Sequence, residues 1–180
     1  MDTYSIGSKV VHPAHGAGTI VAIQEKSLGD LRRTYYVIDT LSTGVTAGTR
    51  QLMVPVSRAI PSGLRRAGQA SRLRNALRQC IPPKEGDIDK DYRTRQVAMR
   101  ELLNSGSFTQ VVDAVLTLYV LHMKRPLGVV DRQLFDHGKG ILASELAVAT
   151  NTEMEDALRE VEDSLAAIYE EAIEESSEKE

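Results

Sequence analysis

The chain has 180 residues, of which 42% are hydrophobic, so it is long enough to bury a core in one large domain or two small ones. No stretch approaches the roughly 18 apolar residues of a membrane span, and the polar N-terminal segment lacks the apolar run of a signal peptide, so we expect a cytoplasmic protein. The net charge is −3, and the single cysteine, Cys80, excludes an internal disulfide.

The N-terminal part has the pattern of short β-strands. β-Branched and aromatic residues fill four runs, at 9–12, 17–23, 34–38 and 52–56. Residues that favour turns separate the runs: Gly16 and Gly18, Gly29-Asp30, and Ser42-Thr43-Gly44. This spacing predicts a small β-barrel of the SH3 or Tudor kind. Pro55 has no N–H for a ladder, so we expect the last strand at an edge or a bulge.

After Pro61-Ser62-Gly63 the hydrophobic period becomes helical, and the sequence predicts no further strand. Five helices are expected, near 69–80, 90–104, from Ser107 to Pro126, 130–149, and from Thr152 onward. The predicted fold class is therefore α+β, a small barrel followed by a compact all-α domain. We predict domains at residues 1–62 and 63–172, and a disordered acidic tail at 173–180.

The charge is unevenly distributed between these parts. Residues 58–100 carry 11 Lys and Arg against 4 Asp and Glu, whereas residues 101–180 carry 6 against 17. A basic segment can neutralise phosphates, and an acidic one repels nucleic acid. If the protein binds DNA, we expect the basic middle to do so. A solvated pair of basic helices explains the charge alone equally well.

One aromatic residue lies among the basic residues of the second predicted helix. Tyr92 stands between Lys90 and the two arginines Arg93 and Arg95. Basic side chains fix a protein on phosphates, and a planar residue among them can press against a base step in the minor groove. Tyr92 also continues the apolar spacing of its own helix, which would make it a cap on the core. The residues alone leave both interpretations open.

No group of residues has the pattern of a catalytic or cofactor site. His12 and His15 have the spacing of a metal-binding pair, but they lie on a glycine-rich turn, and no Cys, Asp or Glu nearby completes a site. We therefore expect no enzyme activity, no metal and no cofactor. A hydrolase would rest on the histidine pair alone.

Five stretches together resemble the CarD-like (CarD/CdnL) family of bacterial transcription regulators. In unbroken order, over about residues 5–170, they are IGSKVVHPAHGAGTIVAI, LMVPV with SGLRRAG, YRTRQVAMRELLNSGSFTQVVDAVLTLY, ILASELAVAT and the acidic fifth helix. The resemblance implies a Tudor-like barrel that binds the β subunit of RNA polymerase by adding its edge strand to a strand of that subunit. It further implies a helical domain at the upstream edge of the transcription bubble, where an aromatic wedge in promoter DNA stabilises the open complex.

The resemblance also implies roles for individual residues on the polymerase side. Lys26 falls where the family often has a basic residue, and Met53 falls before Val54 and Pro55 where some members place arginine. These four residues are the expected polymerase contacts.

On the DNA side, the resemblance places Tyr92 at the position of the family's tryptophan wedge, with Arg93 and Arg95 where basic residues flank the wedge and contact phosphates. Lys90, from the basic segment itself, is the fourth expected DNA contact. We expect a monomer that holds both partners at once. The alternative is a protein–protein adaptor that binds polymerase or another partner and never touches DNA.

Overall fold

The computed structural model describes residues 4–28, 31–42 and 48–177, and within these ranges a five-stranded β-sheet precedes five α-helices. Strands β1 to β5 span Lys9–His12, Gly16–Leu28, Leu31–Ser42, Gly48–Pro55 and Arg65–Arg66. Helices α1 to α5 span Ala70–Gln79, Tyr92–Asn104, Phe108–Lys124, Val129–Thr150 and Met154–Ser177. The predicted α+β class is confirmed. None of the described helices is long and apolar enough to cross a membrane.

The sheet is antiparallel, and its strands lie in the order β4-β3-β2-β1-β5. β2 and β3 form a long hairpin, with a register shift between Ile20 and Ala22. In the described part of the chain the edge strands β4 and β5 do not pair with each other, so the pairing does not show the closure of the predicted barrel. The predicted turn residues Gly29-Asp30 and Thr43-Gly44 lie outside the described residues.

The sheet extends beyond residue 62. Arg65 and Arg66 form β5 and pair with Val11 and Val10 of β1, so the expectation of no strand after Gly63 is wrong. The hydroxyl of Tyr4 donates a hydrogen bond to the carbonyl oxygen of Leu64 over 2.8 Å, which ties the N-terminal segment to this late strand. One apolar cluster fills this part of the molecule, made of Tyr4, Val10, Ile20, Tyr36, Ile38, Val54, Ala59 and Leu64.

The helices pack around α3, which is buried along most of its length. At Gly138 of α4, a Cβ atom would lie 2.5 Å from Cγ2 of Val115 and 2.9 Å from Cδ2 of Leu103. α4 can therefore approach α2 and α3 closely only because residue 138 has no side chain. Helix α5 continues to Ser177, so the first residues of the predicted disordered tail are helical.

Helix α4 also contacts the sheet. Val148 packs against Val11 of β1 and Ala17 of β2, and the Ser144 hydroxyl oxygen accepts a hydrogen bond from the Ala17 N–H over 2.9 Å. The β-sheet and the helical part therefore share an interface.

Candidate DNA and polymerase interfaces

Helix α2 starts at Tyr92, and Asp91 caps its first turn. The Asp91 carboxylate accepts hydrogen bonds from the Thr94 hydroxyl over 2.7 Å and from the backbone N–H groups of Thr94 and Arg93. These bonds hold the pKa of the Asp91 carboxyl below its usual range, and the bond from the Thr94 hydroxyl has the largest effect on that pKa. The first turn of α2 is thereby fixed, and Tyr92 projects from a well-defined helix start.

The Tyr92 side chain is 53% exposed. The Arg93 guanidinium lies 5.6 Å from the centroid of the Tyr92 ring, and Arg93 Nε donates to the Tyr92 hydroxyl over 3.1 Å. Since the buried residues of α2 are Arg95, Met99 and Leu103, the core-cap interpretation of Tyr92 is wrong. An exposed ring held beside a cation can contact a ligand without disturbing the helix.

Arg95 does not lie on this surface. Its side chain is 3% exposed, and Nη2 donates to the Asp131 carboxylate over 2.7 Å while Nη1 donates to the Asp89 carbonyl oxygen over 2.8 Å. Gln96 donates to the other oxygen of Asp131 over 3.2 Å. A guanidinium buried against a carboxylate cannot reach a phosphate, so we correct the predicted phosphate contact: Arg95 joins α2 to α4.

Two shallow grooves meet beside Tyr92 and share Leu121 and Arg125. One, of about 370 Å³, is lined by Ile88, Asp89, Lys90, Val120, Leu121, Lys124 and Arg125. The other, of about 310 Å³, runs from Tyr92 along the segment between α3 and α4 to Val129 and Asp131. Lys90 is exposed at the first groove, and Val129, at the second, is 76% exposed. Cations and apolar groups therefore line the grooves near the tyrosine, together with the acidic residues Asp89 and Asp131.

Lys124 and Arg125 are exposed cations that the sequence analysis missed. The signal was present as two adjacent basic residues at the end of α3. Basic residues at a helix C-terminus are ordinarily explained by the helix dipole, and only the packing of α3 beside α2 brings them near Lys90 and Tyr92.

Carboxylates of α4 and α5 hold several arginines of the basic segment. Arg65 binds Glu145, Arg74 binds Glu160 and Arg95 binds Asp131, with N–O distances of 2.7, 2.6 and 2.7 Å. The hydrogen bond between Arg74 and Glu160 is the main cause that raises the pKa of the Arg74 guanidinium. The same bond is the main cause that lowers the pKa of the Glu160 carboxyl. Less of the segment's charge is therefore available to DNA than the sequence implies.

Strand β4 is an edge of the sheet: β3 pairs with one side, and no described strand pairs with the other. The predicted edge position of Pro55 is confirmed, opposite Tyr35 at the end of the strand. Because Pro55 cannot donate to β3, its main chain faces away from β3. The register continues without a shift, so by alternation we expect Met53 and Gln51 to direct their N–H and C=O groups to the free edge.

The residues assigned to the polymerase side occupy different positions. Val54 is 4% exposed within the sheet core, so its side chain is not available to a partner, and we correct that assignment. Met53 is half-buried opposite Val37. Lys26 is exposed opposite Arg33, where the β2–β3 hairpin extends past the end of β4. The structure therefore does not bring Lys26 to the same edge as Met53 and Pro55.

The histidine pair lies at the turn between β1 and β2. The rings of His12 and His15 have centroids 4.8 Å apart, and burial, then the neighbouring His15, lowers the pKa of His12. Within the described residues, no group of three or more His, Cys, Asp or Glu side chains has a geometry that could hold a metal ion.

Comparisons with known proteins match both parts of the chain. The model of the CarD-like/TRCF RID domain matches residues 4–66, which end with β5, and the model of the CarD C-terminal domain matches residues 77–162. The chain is 26% identical over 145 residues to a Bacillus subtilis (strain 168) protein described as "Putative transcription factor YdeB", and the match covers 81% of this chain and 91% of that protein. With one family matched over the sheet and over the helices in the expected order, the chain belongs to the CarD-like family of transcription regulators.

Proposed function

We propose that this transcription regulator holds the β subunit of RNA polymerase with the free edge of β4 and promoter DNA with the surface around Tyr92, and thereby stabilises the open complex. The observation that carries the proposal is the exposed Tyr92 ring at the capped start of α2, with Arg93 against the ring, Arg125 in the same groove and Lys90 in the adjoining one. Family membership supports an interaction with RNA polymerase in general.

On the DNA side, Tyr92 is the proposed wedge and four cations are the proposed phosphate contacts: Lys90, Arg93, Lys124 and Arg125. Side chains that press between base steps bend or unstack the duplex. The free-energy cost of this deformation is smallest where the strands are already separated. A surface that combines a ring with a few cations therefore favours the edge of a bubble over closed duplex. The small number of cations predicts weak binding to DNA alone.

On the polymerase side, the free edge of β4 supports strand addition. Main-chain groups at Gln51 and Met53 would pair with an extended strand of the β subunit, and Pro55 would end the pairing. Lys26, on the projecting hairpin, would add a charge contact at a second point.

The mechanism needs no covalent chemistry. Once the sheet is bound to polymerase, contact with DNA becomes intramolecular, so modest affinities suffice. A protein that binds the open complex more tightly than the closed one by about 1–3 kcal/mol shifts their ratio by roughly 5- to 150-fold. Whether transcription rises or falls then depends on which promoter step is slow.

The direct test is the lifetime of an open complex formed by bacterial RNA polymerase, measured after addition of a competitor with and without this protein. We expect a longer lifetime and retention of the protein by isolated β subunit. If the protein binds polymerase but neither lengthens the lifetime nor retains promoter DNA, the adaptor without DNA contact replaces this proposal.

A further inference from the structure

One stripe of α4 side chains meets the sheet. In addition to the Ser144 and Val148 contacts, Asn151 at the end of α4 accepts a hydrogen bond from Lys9 Nζ of β1 over 2.7 Å. The fit is close, because a Cβ atom at Gly16 would lie 2.7 Å from the Ser144 hydroxyl oxygen. The interface therefore extends along the last turns of α4.

Glu145 lies at the centre of this stripe and is fully buried. Its carboxylate accepts hydrogen bonds from Nη1 and Nη2 of Arg65, over 2.7 and 2.8 Å, and from the backbone N–H of Gly68 over 2.9 Å. Arg65 Nε also donates to the carbonyl oxygen of Gly106, in the turn between α2 and α3. One ion pair thus joins β5, the start of the helical part, the α2–α3 turn and α4.

The connection between the two parts is held along its length. Arg65 and Arg66 belong to β5, the Ala67 N–H donates to the Lys9 carbonyl oxygen over 3.0 Å, and the Gly68 N–H binds Glu145. Helix α1 begins at Ala70. A Cβ atom at Gly68 would lie 2.7 Å from Leu73 Cδ2, so this segment is also tightly packed.

We propose that Arg65 and Glu145 are positioning residues that hold the sheet and the helical part in one relative orientation. Separating the parts would break the two bonds between the Arg65 guanidinium and the Glu145 carboxylate, which together pair this charge where it is buried in the interface. The pair therefore keeps the β4 edge and the Tyr92 surface in a constant geometry. The value of that geometry for binding two partners rests on the proposed function, whereas the fixed orientation belongs to the chain alone.

Glu145→Gln in the full-length protein tests the orientation. The amide can keep its oxygen where Gly68 and Arg65 Nη1 donate, but its NH₂ group then faces Arg65 Nη2, so the variant loses both the negative charge and one hydrogen bond of the ion pair. We expect hydrogen exchange at the Gly68 and Ala17 amides to be at least about tenfold faster, since a lost bond of 1.4 kcal/mol is a factor of ten. In wild type the residual dipolar couplings of both parts should fit a common alignment tensor, and in the variant this common fit should be measurably worse.

Matched controls separate loosening from unfolding. Exchange at amides in the middle of α3 should not change in Glu145→Gln. Glu160→Gln, which breaks the exposed pair with Arg74 inside the helical part, should leave Gly68 and Ala17 exchange and the single tensor unchanged. If Glu145→Gln does not fold, the double variant Arg65→Met with Glu145→Met removes the buried charges together and keeps apolar packing.

The functional arm compares separate and joint binding. Affinities of Glu145→Gln for isolated β subunit and for DNA should each match wild type, while retention in the complete promoter complex should fall by about tenfold because the second contact loses effective concentration. Unchanged exchange with an equally good fit to a single tensor would overturn the positioning role. Freed orientation with undiminished joint binding would support that role and overturn the claim that the constant geometry serves the binding of two partners. If wild type binds neither partner, the proposed function fails, and the exchange and coupling data still decide whether the pair fixes the orientation.

Discussion

At the scale of single residues, α2 shows that the burial of a side chain depends on its position along the helix as well as on the helix face that it occupies. Tyr92 is in phase with Met99 and Leu103, which is why the sequence permitted a core cap. It is nevertheless exposed, because side chains on a helix tilt toward its N-terminus and the first residue projects past the packed body. Arg95 stands four residues before Met99 and eight before Leu103, so the same spacing could have identified it as inward-facing.

Tyr92→Ala separates the role of the ring from its contribution to folding. Since the ring is 53% exposed, the free energy of unfolding should change by less than about 0.5 kcal/mol, while the open-complex lifetime shortens. Tyr92→Trp should match or exceed wild type. Val97→Ala is the control, because Val97 is 54% exposed on the same helix. Early melting of Tyr92→Ala with a normal open-complex lifetime would end the wedge assignment.

Arg93→Gln and Arg95→Gln should affect different properties, DNA binding and folding stability respectively, although the residues are only two positions apart. Arg95→Gln leaves the buried Asp131 without its guanidinium and should cost about 3–5 kcal/mol of unfolding free energy, measured by chemical denaturation. Arg93→Gln should melt like wild type and lower the slope of log K for DNA against log salt by about 1. Equal melting of the two variants would contradict the buried ion pair.

At the scale of elements, hydrophobic period predicted the strands β1 to β4 and the five helices, with boundaries that differ from the structure by a few residues at most ends. β2 and β3 are longer than their apolar runs, because cross-strand pairing continues through Lys26 and Arg33, where no apolar alternation exists. β5 has the sequence Arg-Arg and no strand signal of its own; it exists because β1 offers it a partner. Such elements depend on tertiary pairing, so the local sequence pattern does not predict them.

The free edge of β4 gives a test with a matched pair of variants. Gln51 is exposed, and we expect its N–H to face outward, so Gln51→Pro should fold normally but remove one donor from the proposed pairing with the β subunit. The loss should be about 1 kcal/mol, or roughly fivefold in affinity, read by titration with isolated β subunit. Gln51→Ala keeps the N–H and should bind like wild type. Equal binding by both variants would place the polymerase contact elsewhere.

At the scale of the whole molecule, the sequence predicted two differently built parts and their family, but not how charge is shared between them. The carboxylates that bind Arg65, Arg74 and Arg95 lie 36 to 86 residues away along the chain. No local pattern links such distant residues. Of the four residues predicted for the DNA side, the structure leaves Lys90, Tyr92 and Arg93 exposed and buries Arg95.

Salt dependence of DNA binding measures the remaining cations. Contacts from Lys90, Arg93, Lys124 and Arg125 predict a slope of about −3 to −4 for log K against log salt. Lys124→Gln combined with Arg125→Gln should bring the slope about 2 closer to zero. Arg74→Gln, whose guanidinium is bound to Glu160, should leave it unchanged. A flatter slope for Arg74→Gln instead would move the DNA surface to α1.

The buried carboxylate of Glu145 also has a consequence for how the protein melts. Its counter-charge comes from the strand that completes the sheet, so helices that lost a folded sheet would lose the guanidinium that binds this carboxylate. The sheet in turn would lose the α4 side chains that cover Val11 and Ala17. We therefore expect the two parts to unfold together, and calorimetry of the wild-type protein should record a single transition whose van't Hoff and calorimetric enthalpies agree. Although two family domains divide this chain, thermodynamically it should behave as one cooperative unit.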